Sequence, residues 1–198
     1  MCRFIESVQL KDGDFKRLEL HQERIRKAMM DYYPTHEIID LAKSLRHTSF
    51  PTEGLHKCRI VYDSEIRKIE YSPYDRCEIH TLRLVETDMD SHPYKPENRS
   101  ELNAAFALRG DCDDIILVKN GFIADTSFSN IALYDGLNWC TPRVPLIYGV
   151  NRAELVDQGK IIEKDILVSE VMNFQLVSLF NAMNEFGSIE LDISSIRP

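Results

Sequence analysis

Four places in the chain carry groups able to do chemistry. Lys95, ahead of Pro96-Glu97-Asn98-Arg99, offers an amine that attacks a carbonyl once it is partly neutral, a state favoured by a dry pocket and a nearby cation. Asp125, with Asn130 five positions on, offers a carboxylate that can hold a proton on a neighbouring nitrogen base through a charge-assisted hydrogen bond. Gly149-Val150-Asn151-Arg152 reads as the start of a helix, where orphan backbone N–H groups and the helix dipole favour an anion. Arg24 offers a guanidinium that pairs a phosphate bidentately. Each has a plainer reading: a solvated linker lysine, a turn aspartate at a strand edge, a loop-to-helix junction, and a solvated helix arginine.

The elements that must hold these groups are legible in outline. Ile115-Ile116-Leu117-Val118 leads into Asn120-Gly121, the pair best suited to positive φ at both centres of a type I′ turn, so a hairpin is expected with Asp125 on its return half. Ile131 to Tyr134 resumes an apolar strand that stops at Asp135-Gly136, and Trp139 precedes Thr141-Pro142. Upstream, residues 3 to 9 alternate as a strand, Lys11 to Asp14 make a turn, and Leu18, His21, Ile25, Met29 and Tyr32 recur at helical spacing over 18–33. Pro34 ends that helix, Thr35 is the expected N-cap of a second one running through Ile38, Ile39, Leu41, Ala42 and Leu45, and His21, one turn before Arg24 on the same face, is expected in the core or behind the site, with a catalytic histidine as the alternative. Lys57 to Tyr62 and Ile66 to Tyr71 flank a hairpin turn, and Cys77 to Val85 alternates as a third strand of the same domain. Thr87 to Pro96 is polar and proline-containing, and Arg99 to Leu108 reads as a helix. The expected organisation is a small α+β domain over 1–88, a linker over 89–96 and a larger domain over 97–198.

Composition narrows the function classes. With 198 residues and 43% hydrophobic content the chain can bury a core without staples. Five cysteines without a CxxC spacing favour neither a disulfide framework nor a zinc site, which fits a reducing, cytoplasmic setting. The first residues, Met-Cys-Arg-Phe-Ile-Glu, lack a signal-peptide core, and no apolar run approaches the ~18 residues of a membrane span. A formal charge of −8 argues against nucleic-acid binding, which needs clustered cations. A small anionic substrate would need a local basic pocket, for which Arg99, Arg143 and Arg152 are the cations at hand.

The order of parts resembles the class IV aminotransferase family, the fold-type IV pyridoxal-phosphate (PLP) enzymes. Asp125 and Asn130 match its acidic residue and following Asn, Thr141-Pro142 its Thr-Pro pair, and Gly149 to Arg152 its Gly-x-x-Arg turn. Phe4-Ile5-Glu6-Ser7 matches its Phe-Glu-Thr-like strand loosely, with one residue inserted, followed by Asp12-Gly13 and His21-Gln22-Glu23-Arg24-Ile25. Lys95-Pro96-Glu97-Asn98-Arg99 matches its lysine segment, so nearly the whole chain is covered. The resemblance implies a two-domain α+β architecture like the D-amino-acid and branched-chain aminotransferases, with a shortened N-terminal part. It also implies PLP in Schiff-base linkage to Lys95, Asp125 at the pyridine nitrogen where the family has Glu, and Arg24 with Gly149, Val150 and Asn151 at the phosphate. Asn130, Asn181 and Ala182 would border the cofactor, with Thr126, Ser127 and Ser129 either orienting it or serving only as strand hydroxyls. Lys95-x-x-Asn98-Arg99 and Asn181-Ala182-Met183 resemble the lyase branch, which eliminates pyruvate from 4-amino-4-deoxychorismate to give 4-aminobenzoate for folate. The other readings are a branched-chain or D-amino-acid aminotransferase and a PLP-binding protein without turnover. A homodimer is implied in each case.

Overall fold

The computed structural model describes residues 2–198. They divide into two units: the chain up to Arg76 with Pro93–Asn98, and Cys77–His92 with Arg99–Pro198.

The first unit is one antiparallel sheet with helices on a face. Its elements are β1 (Phe4–Lys11), β2 (Asp14–Phe15), α1 (Leu18–Tyr32), α2 (Leu41–Arg46), β3 (Leu55–Tyr62) and β4 (Ile66–Pro73), and the strand order is β2-β1-β3-β4. Asp12 and Gly13 take positive φ of 50° and 81° and turn β1 into β2, as an Asp-Gly hairpin pair requires. Alternation along β1 puts Phe4, Glu6, Val8 and Leu10 on one face. Phe4 and Val8 pack there with Ile25 and Met29 of α1, Leu41 and Leu45 of α2, and Ile60 and Tyr62 of β3. Expected from Thr35, the second helix starts only at Leu41, capped by Asp40, whose side chain accepts from Lys43 N at 2.8 Å. The Gln22 side chain binds Ile39 O and Leu41 N, each at 2.8 Å, and so ties the preceding segment to α1 instead of letting it coil.

The second unit holds β5 (Leu82–Glu86), α3 (Ser100–Ala107), β6 (Asp114–Lys119), β7 (Phe122–Thr126), β8 (Asn130–Tyr134), β9 (Trp139–Pro142), α4 (Val150–Asp157), β10 (Ile162–Lys164), β11 (Leu176–Phe180), β12 (Glu190–Asp192) and β13 (Ile196–Arg197). They form two sheets, ordered β13-β5-β6-β7 and β10-β9-β8-β11-β12. Leu82, Ile116 and Ile123 from the first sheet and Ile131, Leu133, Val177 and Leu179 from the second share one buried cluster. Ile115, Leu117 and Ala124 pack instead with Ala105 of α3, so β6 is covered on both faces and reads as an unbroken apolar run. The Asn120-Gly121 turn takes φ of 51° and 79° as expected.

The two units first part at Arg76/Cys77, whereas the sequence places a domain boundary at residue 88. The strand expected over 77–85 begins at Leu82 and pairs in parallel with β6, not with the β3–β4 hairpin. Just before it, His80 N and Thr81 N donate to the Asp113 carboxylate at 2.8 and 2.9 Å, taking donors a strand partner would have used. Nor is 89–96 a simple linker: the chain enters the second unit at Cys77, returns to the first for Pro93–Asn98, and crosses again. Parallel strands need a long crossover, and the β5 to β6 connection contains both α3 and this excursion.

Candidate functional site

In the first unit, Lys95 sits in an extended stretch laid antiparallel beside the start of β1. Ile5 N donates to Lys95 O and Glu97 N to Arg3 O, each at 2.9 Å, around a Phe4–Pro96 bridge. Lys95 is partly buried, unlike a solvated linker lysine, and its charge is felt at His21, whose pKa is lowered by burial and then, despite Glu6, by the neighbouring cations Arg24 and Lys95. Tyr94 is a packing residue, set against Phe4 and Tyr32, with its hydroxyl donating to Asp31. Arg24 does not project alone: Nε and Nη2 donate to the two oxygens of Glu6 at 2.8 and 2.5 Å, and His21 Nδ1 lies 2.5 Å from Glu6 Oε2. Glu6 entered the sequence reading only as part of a loose motif. The available signal was its parity, a carboxylate among the apolar positions of β1.

In the second unit, the hairpin delivers Asp125 to the end of β7 and the next strand opens with Asn130. Asp125 Oδ1 accepts from Asn130 Nδ2 and Oδ2 from Ile147 N, both at 2.9 Å. Asn130 Nδ2 also donates to Ile147 O at 2.9 Å, so the Ile147 peptide is gripped on both sides. Burial pushes Asp125 up to about 6, although Ile147 N–H, Asn130 and Arg152 pull the other way. Two residues beyond Ile147, Gly149 precedes α4, whose first turn has no side-chain cap. A Cβ on Gly149 would lie 2.0 Å from Asn130 Oδ1. Lack of a side chain is what lets the Asn130 amide lie against the helix start, since φ there is an ordinary −70°.

Asn151 and Asn181 join the same neighbourhood. Asn151 Nδ2 donates to Asn181 O at 2.9 Å, and Asn181 Nδ2 to Ser129 Oγ at 3.0 Å. Asn181 Oδ1 accepts from Met183 N and Asn184 N at 2.8 and 2.9 Å, forming the tight turn that carries Ala182. Thr126 Oγ1 accepts from Ser129 N at 3.0 Å and shapes the loop between β7 and β8; Ser127 offers its carbonyl to Arg99. Of the arginines considered for an anionic substrate, Arg152 is buried on Pro142 O and Glu163 at 2.8 and 2.7 Å, and Arg143 pairs with Asp165 at the surface. A groove of about 640 Å³ lined by Cys77, Arg99, Asn103, Phe106, Arg109 and Phe128, among others, contains none of Asp125, Asn130 or Gly149.

The amino-transferase class IV sequence profile matches residues 3–190. The chain belongs to the class IV aminotransferase family. An uncharacterized protein from Haemophilus influenzae is 33% identical over 186 residues, covering 93% of this family member and 99% of that protein. A crystal structure from Haemophilus somnus, provisionally named 4-amino-4-deoxychorismate lyase, is 30% identical with a TM-score of 0.85, covering 93% of this chain and 98% of that one. One from Mesorhizobium loti, provisionally named an amino-acid aminotransferase, shows the same fold at 21% identity, with a TM-score of 0.84 and 100% of both chains covered. Class IV aminotransferases use PLP. The residues present fit that group. Asp125 has carboxylate lone pairs beyond the two in use, and the first turn of α4 is uncapped, leaving its backbone N–H groups for an anion.

Proposed function

We propose that this class IV family member eliminates pyruvate from 4-amino-4-deoxychorismate, leaving 4-aminobenzoate, and acts as a homodimer in the cytoplasm. The observation that carries the lyase reading is the pairing of Lys95-x-x-Asn98-Arg99 with Asn181-Ala182-Met183, which sits with the provisional name of the Haemophilus somnus structure.

Lys95 would hold the cofactor through its amine, and the same amine would serve as the base that takes the proton from the amine-bearing carbon of the substrate. Asp125 keeps a proton on the pyridine nitrogen, and Asn130 and the Ile147 N–H hold the carboxylate in place for it. PLP, when bound, supplies the electron sink that makes the carbon acid enough to lose that proton. Arg24 and the backbone N–H groups at Gly149, Val150 and Asn151 take the phosphate, with Asn181 and Ala182 as its neighbours.

Aminotransfer is the second reading, because the same lysine and carboxylate would serve it. Borohydride reduction of the PLP-loaded protein followed by peptide mapping is expected to label Lys95; a label on Lys57 or Lys119 would refute the assignment. Aminodeoxychorismate is expected to yield 4-aminobenzoate and pyruvate. Glutamate formed from 2-oxoglutarate with branched-chain or D-amino acids, without 4-aminobenzoate, would instead make the protein a transaminase. A protein that takes up PLP yet reacts with no amine would be a binding protein only.

A further inference from the structure

Glu6 is the one carboxylate on the helix-facing side of β1 and is fully buried. Burial alone would raise its pKa, but the Arg24 charge and the donors from His21 and Arg24 outweigh it and hold the group at about 2. It is therefore an anion at every physiological pH. Arg24 meets it side-on through Nε and Nη2, the geometry that fixes a guanidinium plane most firmly. The end-on pair, Nη1 and Nη2, then has one direction. His21 is fully buried and its pKa is lowered, by burial first, so the ring is neutral at neutral pH. Its Nδ1 must carry the proton donated to Glu6, which leaves Nε2 a lone pair with no hydrogen-bond partner among the described residues. Tyr62 on β3 and Lys95 are among the other titratable groups near this cluster.

We propose that Glu6 and His21 are positioning residues for the cofactor phosphate: Glu6 clamps the side edge of Arg24 so that its end edge is presented to the phosphate. His21, as a neutral donor, completes the Glu6 hydrogen bonds without adding a second positive charge. This rests on the reading of Arg24 as the phosphate partner. Simple Coulomb reasoning predicts the opposite sign. If Glu6 acted only as a nearby negative charge, removing that charge would tighten binding of an anion; if it acts by fixing Arg24, removing it weakens binding.

The test compares apoprotein affinity for PLP with that for pyridoxal, which lacks the phosphate, by spectroscopic titration. The readout is the preference, Kd for pyridoxal over Kd for PLP. Glu6→Gln is expected to lower it about tenfold or more, and His21→Leu several-fold. His21→Asn, whose amide donor can stand where Nδ1 does, should restore it to within about twofold. A purely structural role would weaken both ligands together and leave the preference unchanged. An unchanged or increased preference in Glu6→Gln overturns the proposal. If that variant does not fold, the His21 pair decides: no loss in His21→Leu, or no recovery in His21→Asn, overturns it as well. Arg24→Met separates the two readings. If the wild type shows no preference, or Arg24→Met keeps it, the phosphate role of Arg24 fails. If Arg24→Met loses the preference and Glu6→Gln does not, only the positioning role fails.

Discussion

Asp125 and Glu6 are both sealed from water, yet their surroundings push their protons in opposite directions. Asp125 stands at about 6 against an ordinary 3.8, so the folded state binds more protons than the unfolded chain. Its contribution to apoprotein stability is present below about pH 4 and is lost as pH rises through 6. Glu6 stands at about 2 against 4.5, so its contribution is present above about pH 4.5 and is lost as pH falls towards 2. Each is worth on the order of 3 kcal/mol at ~1.4 kcal/mol per unit. Chemical denaturation of the apoprotein between pH 3 and 8 should therefore show a maximum near pH 4 to 5 from these two groups. Asp125→Asn should lower stability by roughly 1 to 3 kcal/mol, because an amide cannot accept from both Asn130 and Ile147, and should flatten the alkaline limb. An unaltered alkaline limb in that variant would show that Asp125 is not the group titrating there. The placement of Asp125 on the return strand of its hairpin was legible in the sequence because strand and turn signals are local, while its pairing with Asn130 came from the family likeness. The Glu6 cluster was not, since no spacing rule connects a strand carboxylate to the particular helix face that will cover it.

Among the elements, the β7–β8 loop and the start of α4 are coupled through one amide. Gly149→Ala would press a methyl against Asn130 Oδ1, and Asn130 has little freedom to yield because Nδ2 is held by Asp125 and Ile147. Overpacking of this kind costs about 1 to 3 kcal/mol. Adding Asn130→Ala should make the alanine at 149 nearly free, so the double mutant is expected to be more stable than the sum of the two losses; strict additivity would refute the contact. The hairpins were readable from their turn residues, since Asp12-Gly13 and Asn120-Gly121 both dictate backbone geometry locally. The start of α2 and the extent of β5 were not. Gln22 and Asp113 supply tertiary hydrogen bonds that override the local periodicity of residues 35–40 and 77–81.

At the scale of the whole molecule, neither unit is a continuous stretch of sequence. Composition and the polar run at 87–96 marked the neighbourhood where the chain changes unit, but they could not show that it crosses more than once. That depends on β5 finding β6, a parallel pairing invisible to local patterns. One consequence is testable by truncation. Tyr94 belongs to the first unit's buried cluster, against Phe4 and Tyr32. A fragment of residues 1–76 lacks it and should be markedly less stable than a fragment of residues 1–76 joined by a short linker to 93–98, as judged by circular dichroism melting. Equal melting curves would mean that the segment bearing Lys95 contributes nothing to that core.

The same interleaving sets a timetable for synthesis. On the ribosome β5 emerges well before either strand that will flank it: β6 follows roughly 3 s later at about 10 residues per second, and β13, its other neighbour, is the last strand in the sequence. During that interval Leu82 and Val85, both buried in the finished protein, travel on an unpaired strand. Nascent-chain aggregation and chaperone capture are therefore expected to concentrate on chains arrested with β5 outside the ribosome and β6 still inside it, and to fall once β6 has emerged.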